Sequence, residues 1–192
     1  MQILNGTSYT DVEELNNQKD FSGFIQFMPF VNNETMKKSK IQIQYYTGTQ
    51  NEPDSLFVDA SDFKKQLLSV GALLAYKETI DFGGDLNFAT TGPGNATDAD
   101  IKGSAISIFA TLYFKGFSDE GSALANLNIF GRLDMFDPDR DINNNSENLF
   151  IGGLEYNPTE GFKASLNIKT TSFENSSVGS KSFIGVNTLF KF

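Results

Sequence analysis

Apolar and polar side chains alternate along most of this chain. Near its end Ile184, Val186, Thr188, Phe190 and Phe192 take every second position, with Gly185, Asn187, Leu189 and Lys191 between them. A period of two puts the two sets on opposite faces of one extended strand. Phe162, Leu166 and Ile168 alternate in the same way with Lys163, Asn167 and Lys169, and Phe150, Leu154 and Tyr156 with Ile151, Glu155 and Asn157. Reading back, Ile129, Leu133 and Met135 define a further segment, as do Ile106, Ile108 and Leu112, then Ile80, Phe82 and Leu86. Leu68, Val70 and Leu74, Ile41 and Ile43, and Phe21, Ile25 and Phe27 complete the series. The pattern predicts nine strands and a short tenth at 2–5. Segment 62–77 also fits a helical spacing through Phe63, Leu67, Val70 and Leu74, with Ser61 as a cap. Alternation in its second half assigns it to a strand.

The connections between these strands sort into two classes. Short ones are expected at 31–38, 78–79, 117–122 and 158–161. Longer, polar ones are expected at 6–19, 48–64, 93–103, 137–146 and 174–181. They alternate along the chain, so all long connections share one end of the sheet. Short turns at one end and long loops at the other are the layout of a transmembrane β-barrel. The long connections also carry most of the chain's net charge of −9. The expected fold is therefore all-β: an antiparallel transmembrane meander barrel, one domain over 1–192.

Composition narrows the function. Cysteine and histidine are both absent, which excludes disulfides, thiolate metal sites and histidine-based nucleophile pairs. A strongly acidic balance argues against nucleic acid as a partner. No apolar run approaches the ~20 residues of a membrane helix, but a spanning strand needs only ~9–11 with alternate apolar positions. The apolar face ends in aromatic residues such as Phe21, Tyr45, Tyr76, Phe114, Tyr156, Phe162 and Phe190, where interfacial girdles belong. The start of the chain lacks the basic and apolar parts of a leader. Nine full strands cannot close a bacterial single-chain barrel, and an open sheet with two bare edges cannot sit in a bilayer. The chain is thus expected to be the C-terminal part of a longer barrel.

Candidate chemistry lies on the polar face. Lys115, Arg132, Lys163 and Lys169 against Asp81, Asp85, Asp134 and Glu155 are the expected pore-lining charges, with Arg132, Lys169 and Asp85 the deepest. Rings of charge tune selectivity in pores. Asp137, Asp139 and Asp141 lead into Asn143 and Asn145, an oxygen-rich run of the kind that suits calcium. The glycine and glutamate that an EF-hand loop requires are replaced by Ile142 and Asn148, so a solvated loop is the expectation and no metal or other cofactor is assigned. The shared faces of Asp81 and Asp85, and of Arg132 and Asp134, do not amount to an active site, and no enzyme is expected.

The stretch Phe130-Gly-Arg-Leu-Asp-Met-Phe-Asp-Pro-Asp139, followed by Glu147-Asn-Leu-Phe-Ile-Gly-Gly-Leu-Glu-Tyr-Asn-Pro158, resembles the C-terminal half of bacterial outer-membrane porins. The nearest likeness is to porins of Bacteroidetes-type Gram-negative bacteria, related to the phosphate-selective porin group. Segments 3–9 and 21–29 look similar to parts of that family. The resemblance implies a 16–18-stranded, normally trimeric pore in the outer membrane. It would contact lipid and lipopolysaccharide, be inserted by the barrel-assembly machinery through a terminal signal at Phe190 and Phe192, and pass small hydrophilic solutes. No ladder of Lys or Arg carries phosphate selectivity over to this chain. The alternative is a small barrel filled by Leu73, Phe109, Tyr113 and Phe130, or a β-sandwich, binding partners through its acidic loops.

Overall fold

A computed structural model describes residues 1–5, 19–49, 63–93, 98–119, 121–159 and 161–191. Ten strands form one antiparallel sheet in strict sequence order. They are β1 (Gln2–Asn5), β2 (Lys19–Phe27), β3 (Lys40–Thr49), β4 (Lys64–Tyr76) and β5 (Ile80–Thr91). β6 (Ile101–Tyr113), β7 (Leu127–Asp137), β8 (Glu147–Thr159), β9 (Phe162–Phe173) and β10 (Lys181–Phe190) follow. The sheet is open: β1 and β10 are its two edges and do not pair with each other. Within the ambiguous segment, Lys64–Tyr76 form strand β4, and the stub at the start of the chain is strand β1.

Every strand registers with its neighbours so that apolar positions stay on one side. Leu74 faces Phe82, Phe82 faces Ala110, and Ile108 faces Leu133, which in turn faces Phe150. The polar positions form the other side. A one-residue slip would move every side chain to the wrong face, so the alternation fixes the register.

Burial is inverted relative to a soluble protein. The apolar face is the exposed one, with Ile25 71%, Ile184 70% and Val186 72% accessible. Among the described residues the only buried apolar side chain is Ala75, on the polar face, while Asp20, Ser39, Ser107 and Asn128 are buried. A sandwich would cover its apolar face with a second sheet. All ten strands lie in one sheet, and that face is bare.

The connections depart from a simple short–long alternation. The turn at 77–79 is tight, but two other connections at that end run over 28–39 and 114–126. The latter contains two short 3-10 helices, Phe114–Phe117 and Ala123–Asn126, the second capped by the Ser122 hydroxyl accepting from Leu124 N–H. Ser39 closes the former against β4: its hydroxyl accepts from Ala75 N–H at 2.9 Å and donates to Ala75 C=O at 3.2 Å. The side chain thereby stands in for one rung of the β3–β4 ladder. Much of the acidic loop end lies outside the described residues, including Asp11, Glu13, Glu14, Glu52, Asp54, Asp59 and Asp62.

Candidate functional site

The polar face carries the site, and cross-strand pairing arranges its charges in rows. One row runs Lys40, Leu73, Gly83, Phe109, Arg132, Ile151, Lys169, Phe183. The next, toward the loop end, runs Gln42, Gly71, Asp85, Ser107, Asp134, Leu149, Thr171, Lys181. Over β5–β9 the cations thus occupy one level and the carboxylates the adjacent one, while Lys181 ends the second row on β10. Arg132, Lys169 and Asp85 fall in these central rows.

Arg132 joins the two levels. Its Nε donates to both oxygens of Asp134 at 2.7 and 2.9 Å, and a terminal nitrogen reaches the Ser107 hydroxyl at 3.5 Å. Asp134 is therefore neutralised by its own strand. Asp85 lies across Gly71, where any added Cβ would collide with its carboxylate. Asp81 instead accepts the Tyr113 hydroxyl at 2.8 Å. The two aspartates share a face but hold different partners, so they form no acid pair.

Glu155 is the most heavily engaged carboxylate. It accepts from Asn128 at 3.1 Å and Asn157 at 2.9 Å, and pairs with Lys163 at 2.9 Å. Lys115 is not on the wall of the face: it sits in the 114–126 connection and pairs with Glu78 at 3.1 Å. At the same end Ala75, Asp81, Tyr113, Asn128 and Asn157, from five consecutive strands, line one depression of about 870 Å³. The connections at 28–39, 77–79 and 114–126 rim it. Glu78 links the two longer ones, meeting Lys38 at 3.6 Å as well as Lys115. These contacts hold the Glu78 carboxyl below its ordinary range, first through the hydrogen bond and charge of Lys115 and then through the charge of Lys38. Lys37 does the same to Glu34 across 2.8 Å.

Asn128, Asn157 and Ser39 were not singled out by the sequence. The signal for the two amides was present: Asn157 follows Glu155 by two residues on the same face of β8, and Asn128 takes a polar-face position on β7 directly across from Glu155. The aspartate run at 137–141 spends its carboxylates on its own backbone, with Asp137 accepting from Asp139 N–H and Asp139 from Asp141 N–H, each at 3.1 Å. Among the described residues no group of three potential ligands gathers around one point. Phe190 packs on Phe162 with ring centroids 5.2 Å apart. Phe192 lies outside the described residues. No family model, curated protein or solved structure matches the chain, so no family is assigned.

Proposed function

We propose that the chain forms the wall of a transmembrane β-barrel in a Gram-negative outer membrane, and that the barrel passes small hydrophilic solutes by diffusion. The observation that carries this is the inverted burial. A face of Ile, Leu, Val and Phe left exposed over the whole sheet is a large cost in water. Against lipid it is the stable arrangement, and the polar face then borders the lumen. Strands β2–β10 have 9 to 13 residues, the length a tilted crossing takes. Because the strand number is even, β1 and β10 run antiparallel. The two edges can therefore close on each other or on added strands, as a barrel in a bilayer must. Bilayer lipid is the first partner on this reading; trimer contacts and insertion by the assembly machinery through the terminal strand go with it.

A second reading is a narrow barrel filled by its own side chains, displaying the loops to a partner. It is favoured by Phe109, whose ring fills the space over Gly83, where an added Cβ would lie 2.6 Å from it. Single-channel recording of the detergent-extracted protein in a planar bilayer separates the two. Large ohmic steps are expected for the pore. Extraction into detergent with a heat-modifiable band but no steps would replace it with the filled barrel. A protein that stays in solution without detergent would end both.

A further inference from the structure

Both long connections at the turn end fold toward the polar side of the sheet. Thr35 and Lys38 from 28–39, and Lys115 and Ala125 from 114–126, border the same space of about 870 Å³ as Asp81 and Asn128 of the strands. Accessibility divides in the same way. Beneath the connections Ala75 is 4% and Asn128 6% accessible. Tyr76 and Ile129, their chain neighbours on the apolar face, are 42% and 43% accessible. The cover therefore lies over one face only, the face that borders the lumen on the pore reading.

The tight turn at 77–79 ties this cover down. Lys77 N–H donates to Thr35 C=O at 2.7 Å, and Glu78 meets Lys38 at 3.6 Å and Lys115 at 3.1 Å. Gly116 lies so close over Thr79 that any added Cβ would collide with its hydroxyl. One three-residue turn thus holds both connections. Lys77 and Glu78 both have positive φ there, 54° and 55°, a region that L side chains enter only at a cost. Hairpin turns with two such positions favour Asn-Gly. Glycine at 78 would relieve the turn but leave Lys38 and Lys115 without this carboxylate. Strain of this kind gathers where a side chain is needed for more than the turn itself.

We propose that the 28–39 and 114–126 connections form a constriction at the turn end of the pore, with Glu78 as the positioning residue that holds them over the polar face. The inference deepens the passive-pore reading by locating where the passage narrows, and it rests on that reading for its effect on conduction. The ties to Glu78 are exposed ion pairs, each weak by itself and weakened further by salt.

The chain has no cysteine, so Ala75→Cys supplies a single thiol beneath the cover. Its reaction with a neutral, water-soluble maleimide is timed in the detergent-solubilised full chain, relative to the unfolded chain. Labelling is expected to be slow. Glu78→Gln should speed it about three-fold, the size of two exposed ion pairs. Lys77→Asn combined with Glu78→Gly should speed it at least as much while keeping a heat-modifiable fold, since these are the residues that the turn favours. Raising salt from about 0.1 to about 1 M should speed labelling when Glu78 is present and not in Glu78→Gln, a response that a merely structural role would not give. In single-channel recordings both variants should conduct more than the unaltered chain. Unchanged labelling in both variants would overturn the proposal. Faster labelling with unchanged conductance would overturn the constriction. Faster labelling in a protein that never conducts would sink the pore reading, while the hold of Glu78 on the connections would stand.

Discussion

The two faces of this sheet are built on opposite rules. One face is uniform, apolar and almost without specific contacts. Each side chain there needs only to be hydrophobic and of moderate size. The polar face is irregular, and several residues on it are tied to particular neighbours: Arg132 to Asp134, Glu155 to two amides and a lysine, Asp81 to Tyr113. A surface that meets a fluid of one polarity tolerates exchange. A surface that encloses its own charges does not. The difference identifies which substitutions should be silent and which should not.

The largest effect is expected from placing charge on the apolar face. Leu86→Arg or Ile108→Arg, at mid-strand, should cost about 2–4 kcal/mol of folding into lipid. Equilibrium unfolding from vesicles measures it. An arginine at Leu86 that folds as well as the unaltered protein would mean that this face does not meet hydrocarbon. Next come the glycines, which contrast the faces directly. A Cβ at Gly83 would lie 2.6 Å from the Phe109 ring and 2.7 Å from the Ala72 carbonyl oxygen, whereas Gly131 has open space on the apolar face. Gly83→Val should lose about 1–3 kcal/mol by overpacking. Gly131→Ala should change stability by no more than about 0.5 kcal/mol.

Ser39→Ala tests the side-chain rung that closes the 28–39 connection. Ser39 is 2% accessible and makes both bonds to Ala75, so its loss should cost about 1–3 kcal/mol in the same assay. The smallest effect belongs to the exposed ion pairs of the rim. Glu34 and Glu78 are both held below their ordinary range by lysines. Their contribution is complete above about pH 4.5 and goes as pH falls through the depressed values. Amide protection relative to the intrinsic exchange rate in 28–39 and 114–126 should therefore fall below that pH while the strands stay protected. Protection in these connections that does not respond to acid would show that the pairs carry nothing.

The strands were legible because alternation is a global property of the chain. β4 could be assigned despite its helical spacing at Phe63, Leu67, Val70 and Leu74, since its second half kept the period of two. Arg132 and Asp134 could be paired in advance, being two residues apart on one strand. The longer connections at 28–39 and 114–126 were underestimated. The Ser39 rung depends on Ala75, far away in sequence, which no local pattern carries. Of the amides around Glu155, Asn157 is its local neighbour on β8, whereas Asn128 gains its meaning only when β7 lies beside β8.

Strand order also bears on how the sheet is made. Each strand pairs only with its predecessor and its successor in the chain. Assembly can then proceed as a series of neighbouring additions, none of which waits for a distant partner. On the barrel reading proposed above, the one long-range event is the closing of the two margins, β1 and β10, on each other or on added strands. Until that event a bare row of amide and carbonyl groups travels with the advancing strand, a surface that any passing strand could extend. The slow, guarded step in the life of such a molecule is therefore its completion rather than its beginning.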